Sequence, residues 1–259
     1  MCIVNTNISQ IEMNYAILIE CDDKQTLGGS CFRDVCNVAT ALKVRMKYAS
    51  ANIFMCLSSE VNVTSAKKKG YVNAFVASKA TLLSIIQKIV TCSLGNELSL
   101  YMHISGHGYQ CRDIGSLDEQ DGYDEYVVLG SQERMKDDEL NILLRQGVPK
   151  SCRLRVSIDT CHSGTLCDFS YENNVFNLHS VPFFSDALSV SACADNELDN
   201  CDVGDVVGYG GVLTIHMLEV PSAFETFLAS REPWKVSQML KPILAKCNQK
   251  ITICSDHSY

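Results

Sequence analysis

Two short segments carry the residue types that could do covalent chemistry. Ile104-Ser105-Gly106-His107-Gly108 sets a histidine between two glycines, and Ile158-Asp159-Thr160-Cys161-His162-Ser163-Gly164 sets a cysteine among small polar residues. A thiolate is a strong nucleophile, and an imidazole within reach assists its proton transfers, so this pairing suits attack on a carbonyl carbon. Glycines at 106 and 108 let the chain turn sharply and let a substrate backbone approach His107. The backbone N–H groups of Gly108 and Cys161 are then candidate donors to the oxyanion that forms on the attacked oxygen, and losing one such donor costs roughly 3 kcal/mol of barrier. The chain has 14 cysteines, and a cysteine is commonly a small buried apolar residue. The polar, glycine-bounded neighbours of Cys161 set it apart from the other thirteen. His162 follows the nucleophile, and in an extended segment its side chain points to the other face. His103 reads as a packing residue of a strand, and no third member of a triad is assigned.

Both segments follow apolar runs that read as buried strands, Glu97–Ile104 and Arg153–Ile158. Further strands are expected over Tyr15–Ile19, Asn52–Leu57, Tyr126–Leu129, Ala187–Ala192 and Lys250–Cys254. Apolar residues at helical spacing predict helices over Phe32–Lys47, Phe75–Leu94, Asp138–Gln146, Gly211–Glu219 and Trp234–Cys247. Near-continuous apolar strands alternating with helices argue for an α/β fold, with a largely parallel central sheet flanked by helices on both faces. Ligands bind at the carboxyl ends of strands in such sheets, where both candidate segments fall. Two long loops, Gly108–Glu125 and Ser163–Asp186, lie beside them. With no linker or repeat in sight, one domain over residues 1–259 is the simplest reading.

Composition excludes several classes of function. A formal charge of −8 disfavours nucleic acid, whose phosphates need clustered Lys and Arg. No apolar stretch reaches the roughly 18 residues of a membrane span, and the N-terminus lacks a secretory signal pattern. The cysteines show no Cys-x-x-Cys pair and read as thiols of a reducing, cytoplasmic compartment. Two glycosylation sequons, at Asn7 and Asn62, then read as chance.

The motifs resemble those of the metacaspases, caspase-related cysteine peptidases, with histidine 54 positions ahead of cysteine as in caspase-type signatures. Besides Ser105-Gly106-His107-Gly108 and Asp159-Thr160-Cys161-His162-Ser163-Gly164, the likeness takes in Tyr15–Ile19, Cys31–Val35, Asp121-Gly122-Tyr123-Asp124-Glu125, Asp137–Leu140, Ser189–Cys193 and Tyr209–Val212. It implies a caspase-like fold and a cysteine endopeptidase with Cys161 as nucleophile and His107 as its dyad partner. Asp34, Ser105 and Asp159 match the S1 pocket, implying cleavage after Arg or Lys. Asp124, Asp137, Asp138 and Asp168 match the aspartates that bind activating calcium, a hard cation suited to oxygen ligands.

The chain departs from the family pattern at Glu20-Cys21-Asp22-Asp23, where a glycine-rich turn is usual, and at Arg33, where Asn is usual. No proline- or glutamine-rich extension precedes the motifs, so regulation through a prodomain is not expected. The resemblance further implies protein or peptide substrates, a monomer, and self-cleavage near Lys67–Lys69 or Arg134–Lys136. Two alternatives stay open: an inactive caspase-like scaffold, and a peptidase of the clostripain or separase kind.

Overall fold

A computed structural model describes residues 12–22, 27, 29–112, 122–164, 166–172, 175–176, 182–192, 211–244 and 252–256. The expected strands are present as β1 (Glu12–Cys21), β2 (Ile53–Leu57), β4 (Glu97–Gly106), β6 (Tyr123–Val128), β8 (Arg153–Asp159), β11 (Asp186–Ser191) and β12 (Thr252–Ser255). The expected helices are α1 (Ser30–Val44), α3 (Lys79–Cys92), α4 (Asp137–Gly147), α5 (Val212–Glu219) and α7 (Pro233–Leu244). Unanticipated are β3 (Ala74–Val76), β5 (Gly108–Arg112), β7 (Arg134–Lys136), β9 (Tyr171–Glu172), β10 (Val175–Phe176), α2 (Glu60–Lys68) and α6 (Pro221–Ala229).

Among the described residues, nine strands form one sheet in the order β10-β9-β12-β11-β8-β4-β1-β2-β3. Every pairing from β11 through β8, β4, β1 and β2 to β3 is parallel, and the β12, β9 and β10 edge is antiparallel. The central strands are buried along nearly their whole length. A strand covered on both faces can be apolar at every position, which is why these segments read as runs rather than alternations. Ala16 and Leu18 of β1 face α1, α2, α5, α6 and α7, whereas Ile17 and Ile19 face α3 and α4.

Helix starts follow local chemistry. Ser59 Oγ accepts the Asn62 N–H ahead of α2, and Ser78 Oγ accepts the Thr81 N–H ahead of α3, each satisfying an orphan donor of the first turn. The Ser78 cap splits the helix expected from Phe75: residues before it extend into β3, and the helix begins at Lys79. Glu20, which replaces the usual glycine, is buried and accepts from the Ser58 N–H at 3.0 Å and from Asn62 Nδ2 at 2.7 Å. Those bonds anchor the carboxyl end of β1 to the start of α2 and offset the cost of burying the carboxylate. They also engage the Asn62 amide.

A second sheet, the antiparallel meander β5-β6-β7, lies beside the main one. It occupies the described part of the Gly108–Glu125 loop and draws Arg134–Lys136 into a strand. Arg134–Lys136, one of the two regions considered for self-cleavage, is thus a strand paired with β6 rather than a surface loop. Lys67 and Lys68 lie exposed in the last turn of α2. No helix among the described residues is long and apolar enough to cross a membrane.

Candidate active site

Strand register builds the site. β1 pairs with β4 so that Cys21 lies beside Gly106, and β4 pairs with β8 so that Ser105 lies beside Asp159. The chain segments that leave these strands therefore emerge at one level of the sheet: Asp22 after β1, His107 after β4, and Thr160 and Cys161 after β8. From β1 the next strands in sequence, β2 and β3, run to one side, and β4, β8 and β11 run to the other. The site thus sits at the carboxyl edge where strand order reverses, the place open parallel sheets leave a crevice.

Glycines close the distances between the loops. A Cβ at Gly108 would overlap the carbonyl of Cys161, so the His107 loop lies directly on the Cys161 backbone. A Cβ at Gly106, whose φ is +152°, would overlap the Cys21 carbonyl, which accepts the His107 N–H at 2.9 Å. His107 and Cys161 are partly exposed, just beyond the ends of strands that are buried. His162 has a φ of +49°. The segment is therefore not extended at that residue, and strand alternation, which was used to set His162 aside, does not reach it. β8 ends at Asp159, so strand alternation does not set the orientation of Asp159 relative to Cys161 either.

Several of the other thiols differ. Cys31, Cys56, Cys152 and Cys167 are buried. Burial pushes the thiols of Cys56 and Cys152 up to about 12 and those of Cys31 and Cys167 higher still, which suppresses thiolate formation. Burial also lowers His103 to about 3, so it is a neutral core residue whose Nδ1 shares Ser157 Oγ with the Tyr101 hydroxyl.

The three residues matched to an S1 pocket come together. Asp34 Oδ2 accepts from Ser105 Oγ at 3.0 Å and from the Gly211 N–H at 2.9 Å. Asp159 Oδ2 accepts from the Thr214 N–H at 2.7 Å, and a Cβ at Gly211 would overlap the Asp159 carboxylate. The first turn of α5 thus serves both carboxylates, as the positive end of a helix dipole favours. Burial, and then the negative charge of Asp159, raise Asp34 to about 7, against the bonds from Gly211 and Ser105 and the charge of Arg33. A cavity of 540 Å³ between α1 and α5 reaches Asp34 and Thr214 from the side of Asn37, Arg45 and Leu218.

Asp124, Asp137 and Asp138 form a second acidic group, with one carboxylate oxygen of each within 4.8 Å of the others. β6 supplies the first and the opening turn of α4 the other two. Asp137 accepts the Glu125 and Asp138 N–H groups at 2.6 and 2.7 Å, yet burial raises it to about 7. Glu139 caps α4 by accepting the Lys136 N–H at 3.1 Å. The Lys136 ammonium pairs with Asp124. Asp168, at a φ of +46°, does not join this group, but α4 holds its segment: Asn141 Nδ2 donates to the carbonyls of Cys167 and Asp168 at 2.8 and 3.1 Å.

Sequence reasoning missed one functional-site neighbour, Asp22. Its Oδ1 lies 3.7 Å from His107 Nε2. The only sequence signal was that residues 20–23 break a family pattern.

A largely parallel sheet whose carboxyl edge brings a histidine loop onto a cysteine loop defines the caspase-like class of α/β proteins. The profile of the metacaspase, peptidase C14 domain matches residues 14–170, more than half of the chain, and the chain belongs to that family. Relatives include Metacaspase-1 of Yarrowia lipolytica, 33% identical over 162 residues that make up 60% of this chain and 32% of that protein. Metacaspase-1B of Aspergillus fumigatus is 32% identical over 147 residues, or 54% of this chain and 32% of its own. Metacaspase-1 of Cryptococcus neoformans is 31% identical over 144 residues, or 54% and 29%. The matches span about a third of the length of these relatives.

Proposed function

We propose that this chain is a calcium-activated cysteine endopeptidase that cleaves after Arg or Lys. The carrying observation is the close approach of Gly108 to the Cys161 carbonyl, which sets the His107 and Cys161 loops against each other at the open edge of the sheet. In this reading the Cys161 sulfur attacks the scissile carbonyl while the Gly108 and Cys161 N–H groups hold the oxyanion. His107 carries the proton to the leaving amine, and water then hydrolyses the acyl-enzyme. Asp34 and Asp159 supply negative charge for the guanidinium or ammonium of the P1 side chain, in a buried setting where such attraction is strong.

The acidic group at Asp124, Asp137 and Asp138 fits calcium. Its donors are hard oxygens, and a cation, the Lys136 ammonium, already seats on one of them. Bound calcium would supply charge neutralisation there and let these side chains draw together. Asn141 connects the helix bearing Asp137 and Asp138 to the segment after Cys161, which gives the group a mechanical route to the cleft.

The test is hydrolysis of fluorogenic peptides ending in Arg, Lys or Asp, with and without calcium, by the chain and by Cys161→Ala. Cleavage after Arg and Lys, raised by calcium and lost in Cys161→Ala, is expected. Cleavage after Asp alone overturns the specificity. Cysteine alkylation by iodoacetamide that is unchanged in Cys161→Ala overturns the nucleophile.

A further inference from the structure

The proposed machinery leaves one buried carboxylate beside the candidate base without a role. Asp22 directly follows β1, is 3% exposed, and sets Oδ1 3.7 Å from Nε2 of His107. Its place is fixed by the backbone. Cys21 pairs with Gly106, and the Cys21 carbonyl accepts the N–H of His107, so the next residue on each strand leaves the sheet beside the other. The same close packing excludes any side chain at Gly106.

A base imidazole gains from such a neighbour. Its ring is 22% exposed and packs tilted against Tyr109, with centroids 6.1 Å apart, a contact that does not distinguish the two ring nitrogens. An unanchored imidazole can turn about two side-chain bonds and exchange between two neutral tautomers. Only one arrangement presents the correct nitrogen to a thiol. A fixed carboxylate on one nitrogen removes both freedoms, and it favours the imidazolium that forms when the thiol gives up its proton.

We infer that Asp22 is a positioning residue for His107: its carboxylate accepts from Nε2–H, orients the ring, and leaves Nδ1 to exchange a proton with Cys161. The inference rests on the peptidase reading and deepens it. The thiol proton passes from Cys161 Sγ to Nδ1, and then from Nδ1 to the amine nitrogen as the C–N bond breaks. Asp22 exchanges no proton. A spacing of 3.7 Å exceeds an ordinary hydrogen bond, and catalytic hydrogen bonds in free enzymes are often long and shorten in the substrate complex. Among the described residues, Asp22 from the end of β1 and Tyr109 from β5 lie beside the imidazole, and the Cys161 backbone packs on the adjoining Gly108.

The test compares the full chain with Asp22→Asn and Asp22→Ala. It uses ¹⁵N NMR of labelled histidine and steady-state kinetics on an Arg-ending peptide with calcium. In the wild type, neutral His107 carries its proton on Nε2. Asp22→Ala mixes the tautomers and lowers kcat by about 10- to 100-fold while KM stays within about twofold, the pattern of a lost orienting contact. Asp22→Asn keeps an acceptor oxygen, so it retains the Nε2–H tautomer and restores most of kcat.

Asp22→Ala with kcat within about twofold of wild type and an unchanged tautomer overturns the inference. Where Asp22→Ala fails to fold, a wild-type neutral His107 that carries its proton on Nδ1 overturns it equally. An inactive wild type whose alkylation ignores Cys161→Ala refutes the peptidase reading instead. The tautomer needs no turnover, so it decides the role of Asp22 in either case.

Discussion

The carboxylates proposed for the S1 pocket make pH a quantitative probe of specificity. Asp34 is raised to about 7 by burial and by the charge of Asp159. A free enzyme with that carboxyl holds its charge above pH 7 and loses it below, and a neutral acid gives little attraction to a P1 guanidinium. Asp34→Asn mimics the protonated form. Its amide oxygen can keep the Ser105 and Gly211 bonds, now 3.0 and 2.9 Å, so the change isolates charge from shape. Removing one charge from a desolvated, hydrogen-bonded ion pair costs about 3 kcal/mol, roughly a hundredfold in kcat/KM for an Arg substrate.

That cost applies only to the ionised fraction, which follows the folded pKa. The wild-type to Asp34→Asn ratio of kcat/KM should therefore rise from about 2 at pH 5 to about 10 at pH 6 and about 50 at pH 7, and level off near 90 by pH 8. Taking the ratio cancels the titration of His107 and Cys161, which both proteins share. The assay is initial-rate hydrolysis of an Arg-ending peptide well below KM across that range. A ratio that stays flat from pH 5 to 8 would refute the argument that buried Asp34 titrates near neutrality. A ratio of one throughout would remove Asp34 from substrate binding.

Three further predictions follow from the packing. Gly108→Ala places a Cβ on the Cys161 carbonyl, a backbone atom that cannot rotate aside, so it should cost about 1–3 kcal/mol in denaturant unfolding and about a hundredfold in kcat. Normal activity in that variant would show that the two loops are not packed as described. Lys136→Met removes a cation from Asp124. Because the lysine is 37% exposed and the pair is screened, calcium affinity measured by calorimetry should tighten only about 3- to 5-fold, and unchanged affinity would separate Asp124 from the cation site. Ser157→Ala leaves the buried Tyr101 hydroxyl and His103 Nδ1 without the oxygen they share, so it should cost about 1–3 kcal/mol of stability with kcat unchanged. A stability loss below about 0.5 kcal/mol would show that the two groups find other partners.

The central strands and five helices were legible because their signals are local. β1, β4 and β8 are apolar at successive positions, and α1, α3 and α4 repeat apolar residues every three or four positions. Most of the missed elements had weak or competing signals. α2 buries only Val63 and Ala66 on a polar surface, and β3 is three residues joined in pattern to the following helix. α6 was readable: Pro221 opens it, and Ala223, Phe224, Phe227 and Leu228 share one buried face. The polar meander strand β5 exists by pairing with β6, which no short window of sequence reveals.

The candidate site divides along the same line. Residue type and neighbours alone singled out His107 and Cys161, because glycines beside a histidine and small polar residues around a cysteine are local facts. Resemblance named Asp34, Ser105 and Asp159 as one group, but their meeting is a tertiary event: strands β4 and β8 must pair in register, and α5 must bring the Gly211 and Thr214 N–H groups to the two carboxylates. The approach of Asp22 to His107, and the pairing of Lys136 with Asp124, had no counterpart in the linear chain. Local chemistry sets what each residue can do, since it depends on side chain and backbone freedom. Which charge stands beside which nitrogen depends on strand order and register, and those are decided only when the whole sheet buries its apolar faces together.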